Sequence, residues 1–280
     1  MNARLYLIGL LLGTLAITSP VAAAPSEGIV LRVPADPVPW RGVVTESGTA
    51  SGASVLYPAP SPEAFLAALI THGIFNESSR RSREHALQAE ADKVLEPYAA
   101  IVASMRQVNL AKEAGTRLGA SVAATGQAIT TTGLILDYAP TYFLTPDQRA
   151  VVLAVSVSVR RTPNATEPIY ANVVRAVSQP LAAADPQAWW LADNGAHMHS
   201  EAASLLQSAL AAVVTDMQGD PWRDIAERTV RYREGGNERV ERAKFIPTGC
   251  NRATLRTLRG ELMLVPLSTR TNGEHTSPCE

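Results

Sequence analysis

A strict alternation of apolar and polar positions marks the middle of the chain. From Val151 to Arg160 the odd-numbered residues are all Val or Leu, whereas the even-numbered ones include Ala, two Ser and Arg. This period of two predicts a half-buried antiparallel strand. A turn follows at Thr162–Ala165, so we expect Pro168–Ser178 to be the hairpin partner and Gly133–Tyr138 to be a third strand. The centre of the fold is therefore predicted to be a three-strand meander.

Helical spacing predicts three further segments. Apolar residues recur every three or four positions in Glu63–Thr71 and again in Ser79–Gly119, where Pro97 should kink or split the helix. The longest predicted helix begins at about Gln187 or Asp193 and runs to Gln218.

The two ends of the chain favour strands. Gly28–Val33 is predicted to be a strand, and the Pro-, Gly- and Ser-rich stretch after it an irregular arm. Beyond Trp222 the pattern predicts two β-hairpins, one around Gly235–Asn237 and one around Arg259–Gly260. Helices and strands thus occur in separate blocks, which predicts an α+β fold: an antiparallel sheet with packed helices and C-terminal β-hairpins.

The first residues have the layout of a secretory signal peptide. A positive start at Met1–Arg4 is followed by an apolar run over Leu5–Ile17 and by small residues at Val21–Ala24. The run is about 13 residues, short of the roughly 20 that a membrane helix needs, so no transmembrane segment is expected after cleavage following Ala23. No Cys follows the cleavage region, and the Ala-rich leader favours the periplasm of a Gram-negative bacterium.

Four regions are expected. These are a signal peptide (1–23), an N-terminal strand with its arm (24–60), an α+β core (61–219) and a C-terminal β-hairpin region with a disulfide-pinned tail (220–280). Apolar residues make up 46% of the chain and charged residues 18%, which is enough to form a core. The net charge of −1 argues against nucleic acid as a partner. No nucleotide- or phosphate-binding motif is present, so no cofactor is predicted.

The chain has two cysteines, Cys250 and Cys279. In an exported protein such a pair is interpreted first as a disulfide, which would hold the tail against the last strands. Two free thiols or a metal pair are the alternatives, although no Cys-x-x-Cys spacing supports a metal.

One group of residues could carry chemistry. If the long helix already includes Asp193, then Asp193, His197 and Glu201 lie four residues apart on one face. Two carboxylates and an imidazole in a row can bind a divalent metal, or pair a base with its orienting acid. Alternatively, Asp193 or Asn194 caps the helix and Glu201 pairs with a solvent-facing His197.

The C-terminal hairpins carry the main concentration of basic residues. Cross-strand ion pairs with neighbouring glutamates would explain them, and a surface for an anionic partner is the functional alternative. The candidate surface consists of Arg228, Arg231, Arg233, Arg239, Arg242 and Lys244.

Two parts of the sequence resemble exported proteins of unknown function from Gram-negative bacteria. The first is Leu56–Pro60 followed by Phe65–His72, and the second is Trp190–Gly195 leading into a helix rich in Ala and Leu. The resemblance covers about a third of the chain and implies the compartment, with no activity or catalytic residues.

The leading hypothesis is a non-enzymatic periplasmic or envelope accessory protein that binds an envelope protein or an anionic envelope component. Two alternatives remain: a metal-dependent hydrolase centred on Asp193, His197 and Glu201, and a small-molecule binding protein with a pocket beside the meander. No nucleophile motif such as Gly-x-Ser-x-Gly is present, so we lean away from an enzyme.

Overall fold

The computed structural model of the protein describes residues 28–44, 77–106, 110, 112, 114–115, 121–123, 133–163, 165–249 and 251–268. The predicted signal peptide, the predicted helix Glu63–Thr71, Cys250 and Cys279 lie outside the described residues. In the part that is described, no helix is long and apolar enough to cross a membrane.

The secondary structure consists of one large sheet and a few helices. The strands are β1 (Gly28–Arg32), β2 (Trp40–Gly42), β3 (Ser121–Ala123), β4 (Gly133–Leu144), β5 (Val151–Arg160), β6 (Tyr170–Val177), β7 (Arg228–Glu234), β8 (Asn237–Gly249), β9 (Arg252–Thr257) and β10 (Leu262–Pro266). The α-helices are α1 (Glu77–Asp92), α2 (Ala99–Met105), α3 (Pro186–Leu191) and α4 (Ala196–Met217), and 3-10 turns cover Lys93–Tyr98 and Ala192–Gly195.

Within the described residues the sheet has ten strands: nine follow the order β3-β1-β4-β5-β6-β10-β9-β8-β7, and β2 is also paired to β4. The α+β class is confirmed, but the prediction of an antiparallel sheet holds only in part. β1 is parallel to β3 and β4, β2 is parallel to β4, and β10 is parallel to β6. The sequence between β1 and β4 and between β6 and β10 contains helices, and such long crossovers are what parallel pairing needs.

The predicted meander is confirmed as β4–β5–β6, joined by antiparallel pairing. β4 is twice as long as predicted because it continues through Pro140. The N–H of Tyr142 donates to Pro39 on the side of β4 that faces β1 and β2. The backbone nitrogen of Pro140, two residues earlier, points to the same side. The pairing of β4 with β1 ends at Asp137 and its pairing with β2 begins at Tyr142, so Pro140 lies where neither strand requires an N–H donor.

Both faces of the sheet bury apolar side chains. On one face, the odd-numbered residues of β5 pack with α4 residues such as Met198 and Leu210 in the larger core. On the other face, Val152 joins a second core with residues such as Leu255 and Val265 from the C-terminal strands. The second core forms because β7–β10 curl over this side of the sheet. Tyr232 of β7 bridges to the residue after β10, Leu267, which brings the two ends of the curl together.

The predicted long helix is interrupted at Asp193, the later of the two positions at which the sequence allowed it to begin. Asp185 caps α3 by accepting the N–H of Ala188 at 3.0 Å, and α3 ends at Leu191. Asp193 (φ 50°), Asn194 (φ 55°) and Gly195 (φ 84°) then form a left-handed turn before α4 begins. Asp, Asn and Gly are the residues that adopt this conformation most readily.

The proline interruption is confirmed in the N-terminal helical segment. α1 ends at Asp92, Pro97 lies within a 3-10 turn, and α2 follows. The last turn of α1 packs tightly against β2: a Cβ on Gly42 would lie 1.9 Å from the carbonyl oxygen of Ala91. Gly42 therefore permits the helix to approach the strand backbone.

A buried carboxylate ties α4 to the sheet. Asp216 accepts hydrogen bonds from the indole N–H of Trp222 at 2.6 Å and from the hydroxyl of Tyr170 at 2.9 Å, and Arg256 lies at 3.4 Å. The helix thus has a fixed position over β6 and β9.

Candidate functional site

The structure does not bring Asp193, His197 and Glu201 into one row. Asp193 is exposed in the left-handed turn before α4, so the condition for the predicted arrangement, a helix that includes it, is not met. His197 instead stacks on Trp189, with ring centroids 4.0 Å apart and planes at 16°. Within the described part of the chain, no hydrogen bond or ion pair joins any two of the three residues.

Glu201 lies one turn beyond His197 and is partly buried. Burial raises the pKa of its carboxyl, against a smaller opposing effect of the Arg252 charge. Among the described residues, no group of three His, Cys, Asp or Glu side chains could hold a metal. The metal-dependent hydrolase stays a hypothesis from sequence, with no supporting arrangement in this part of the chain.

The six basic residues of the hairpins fall into two sets. Arg228 lies over the ring of Phe245, 3.7 Å from its centroid, and Arg239 lies 3.8 Å from Glu234. Lys244 donates to the carbonyl of Trp222 at 2.7 Å. These three side chains therefore serve contacts within the fold.

The other three, Arg231, Arg233 and Arg242, are exposed on the outer face of the β7–β8 hairpin. Arg231 is directly opposite Val240 in the register. Ala243 pairs with Thr257, so Leu258 comes next to Arg242 at the start of the β9–β10 turn. We call Arg231, Arg233, Val240, Arg242 and Leu258 the basic–aliphatic face.

Apolar exposure distinguishes this face from the rest of the surface. Leu258 is 60% and Val240 53% exposed, the two highest values for large apolar side chains in the described chain. Glutamates orient two of the arginines: Glu238 lies 2.7 Å from Arg231, and Glu227 lies 3.6 Å from Arg242. The face thus combines three exposed arginines, two of them beside glutamates, with exposed aliphatic side chains.

Sequence reasoning missed a charged cluster on the inner side of the same strands. Arg175 and Glu234 form an ion pair with both side chains at most 6% exposed. Burial raises the pKa of Glu241 and of Glu261, and the charges of Arg259 and Arg175 oppose that rise in both. The sequence did contain a signal that Glu234 is buried. Alternate residues of a strand share one face, and Glu234 follows Val230 and Tyr232 on the inward face of β7.

The chain was compared with protein-family models, with curated proteins and with solved structures, and no match was found in any of the three.

Proposed function

We propose that this chain is an exported, non-enzymatic binding protein of the bacterial envelope, and that it docks an acidic partner through the basic–aliphatic face. One observation carries the proposal: the two most exposed large aliphatic side chains of the described chain, Val240 on β8 and Leu258 just after β9, lie beside three exposed arginines of the β7–β8 hairpin. Export rests on the signal-peptide pattern of the sequence.

The two kinds of side chain have different roles in binding. Covering Val240 and Leu258 would contribute on the order of 1 kcal/mol each, since both are about half exposed. The arginines would add selectivity, because a guanidinium group binds a carboxylate or phosphate in a bidentate manner. Charge pairing also accelerates encounter and makes it sensitive to salt.

The arginines are held in different ways. Arg231 and Arg242 have glutamate neighbours that orient them, whereas the side chain of Arg233 makes no hydrogen bond or ion pair within the described residues. Arg233 is therefore available to a partner without loss of an existing contact. An acidic group could also replace Glu238 or Glu227 at the other two positions.

Docking on the face is favoured over addition of a strand at the edge of β7. Leu267 bridges to Tyr232, and the N–H of Ser268 donates to the carbonyl of Arg231 at 3.2 Å. That part of the edge is already paired and cannot accept another strand.

The proposal is tested by crosslinking in the envelope followed by purification of the full chain. The variants are Arg231→Glu/Arg242→Glu and Val240→Ser/Leu258→Ser, with Lys93→Glu, an exposed position in the 3-10 turn after α1, as the charge-reversal control. We expect a partner that is recovered with the wild type and the control but lost with both double variants. Equal recovery with all four proteins would show that this face does not dock a partner.

A further inference from the structure

A second site lies in a groove between β2 and the helical segment from α1 to α2, and none of its lining residues belongs to the basic–aliphatic face. Its volume is about 460 Å³, within the range of about 300–1,000 Å³ typical of ligand sites. Trp40 forms its floor and is stacked on Tyr142, with ring centroids 4.8 Å apart. The Tyr142 hydroxyl in turn donates to the carbonyl of Ala202 in α4 at 2.9 Å. The floor is therefore rigid and preformed.

The backbone of Trp40 presents an unused edge to this groove. β2 is parallel to β4 with Trp40 opposite Tyr142, and the Tyr142 N–H donates to Pro39. In such a ladder Tyr142 makes the inter-strand bonds, so the N–H and C=O of Trp40 point away from β4. Within the described residues, Trp40 has no hydrogen bond on that side.

The backbone of Gly42, two residues further along β2, points to the same side and has hydrogen-bond partners there. Its N–H donates to Asp92 at 2.8 Å, and its carbonyl accepts from the Gln88 amide at 3.1 Å. Among the described residues, the fold therefore supplies side-chain partners for the Gly42 backbone and none for that of Trp40. A backbone N–H and C=O placed in this way can bind a ligand that provides both an acceptor and a donor.

The helical wall of the groove has the pattern of a peptide-binding stripe. Leu95, Ala99 and Val102 line the groove at spacings of four and three, so they lie on one face of the segment. Charged side chains flank this apolar stripe, with Glu96 at one end and Arg106 at the other. Neither Glu96 nor Arg106 has a side-chain hydrogen bond within the described chain.

The spacing of these charges sets the length of the ligand. Three steps of 3-10 helix and seven of α-helix separate Glu96 from Arg106, on the order of 16 Å. An extended chain covers this distance with about five residues. Because Arg41 of β2 contacts Asp92 at 2.9 Å, β2 runs toward the Glu96 end. A peptide with its amino terminus at Glu96 would therefore run antiparallel to β2.

We propose that the groove binds an extended peptide of about five residues, antiparallel to β2. The peptide exchanges two backbone hydrogen bonds with Trp40, packs small apolar side chains against the stripe, and places its terminal ammonium at Glu96 and its carboxylate at Arg106. An antiparallel pair of this kind uses both backbone groups of a single residue, which matches the pair that Trp40 offers.

The test uses the pentapeptide Ala-Val-Ala-Val-Ala with free termini, titrated into the full chain and followed by calorimetry and tryptophan fluorescence. Two matched peptides serve as controls: one has N-methylated backbone amides, and the other has a C-terminal amide. Ala99→Arg fills the groove, whereas Ala100→Arg places the same side chain at an exposed neighbouring position that does not line it. Arg106→Gln removes the group proposed to receive the carboxylate.

We expect saturable binding that weakens about tenfold or more with N-methylation and with Ala99→Arg, and changes less than about twofold with Ala100→Arg. The C-terminal amide and Arg106→Gln should each weaken binding, and their effects should not add in the double combination. Arg231→Glu/Arg242→Glu should leave this binding unchanged. The proposal is overturned if no saturable binding occurs, as when another segment of the chain fills the groove. It is also overturned if N-methylation or Ala99→Arg has no effect.

Discussion

The ion pair between Arg175 and Glu234 gives the sharpest prediction about stability. Both side chains are almost fully buried inside the C-terminal curl, at 6% and 4% exposure. Removing one partner of such a pair leaves an uncompensated buried charge and typically costs about 3–5 kcal/mol. Replacing both partners with apolar residues of similar size is often neutral or stabilising. We therefore expect Arg175→Met to be strongly destabilising and Arg175→Met/Glu234→Leu to recover most of the loss.

The surroundings make the two single variants unequal. Without Glu234, the Arg175 guanidinium still has the charges of Glu241 and Glu261 nearby. Without Arg175, Glu234 keeps only the more distant Arg239 at 3.8 Å among its ion-pair partners in the described chain, and Glu241 and Glu261 lose a neighbouring cation. Arg175→Met should therefore cost more than Glu234→Gln.

The loss should also depend on pH. Burial already raises the pKa of Glu241 and Glu261, and removal of Arg175 raises it further because the charge of Arg175 opposes that rise. A carboxyl whose pKa is higher in the folded state stabilises the fold below its unfolded pKa, and this contribution is lost as the pH rises through the folded pKa. Arg175→Met should thus be more destabilising near pH 7 than near pH 5.

The assay is urea unfolding followed by circular dichroism at both pH values for the wild type, the two single variants and the double variant. A loss below about 1 kcal/mol for Arg175→Met would refute the reasoning, because a buried carboxylate that loses its close partner should destabilise the fold by about 3–5 kcal/mol. A double variant as unstable as Arg175→Met would show that the loss comes from packing instead of charge.

Three further predictions concern stability. Gly42→Ala should lower the free energy of unfolding by about 1–3 kcal/mol, since the new Cβ would lie 1.9 Å from the Ala91 oxygen; an unchanged urea midpoint would contradict this close approach. Asp216→Ala leaves the buried donors of Trp222 and Tyr170 without their acceptor and should lower the free energy of unfolding in urea by about 2–4 kcal/mol. The exposed control Asp220→Ala should lower it by about 1 kcal/mol or less, and similar losses for the two variants would contradict the role of Asp216 as a buried acceptor. Glu241→Gln should remove the loss of stability that this carboxyl causes as the pH rises above its unfolded pKa, because burial raises its pKa in the fold and Gln cannot ionise. An identical pH slope in thermal melts would contradict that shift.

Local patterns predicted the elements of this fold better than their assembly. The alternation in Val151–Arg160 and the turn residues of the C-terminal hairpins correctly located strands, because side-chain period and turn chemistry are local properties. The parallel pairing of β1 with β4 and of β6 with β10 joins segments far apart in sequence, and no local pattern specifies it. β2 also went unpredicted, since its three residues lie in a stretch rich in Pro and Gly.

For the candidate sites too, the sequence indicated the residue types but not their arrangement in space. The basic residues were visible in the sequence, but only the register reveals that Arg231 and Arg242 lie on the outer face, whereas Arg228 and Arg239 contact Phe245 and Glu234 of the same fold. The row through Asp193 failed as an arrangement because a left-handed turn interrupts the helix, and Asn-Gly after Asp was the available signal. The unused backbone edge of Trp40 has no sequence signal, since it depends on pairing with β4.

Docking through the basic–aliphatic face is the central claim, and site-specific photocrosslinking in the envelope tests it most directly. A photoreactive amino acid is placed at Val240, at Leu258, or at Leu87, an exposed apolar position on α1 that serves as the control. The account predicts a discrete adduct from Val240 and Leu258 that disappears with Arg231→Glu/Arg242→Glu, and none of that size from Leu87. Adducts that form equally from all three positions, or none from Val240 and Leu258, would contradict it.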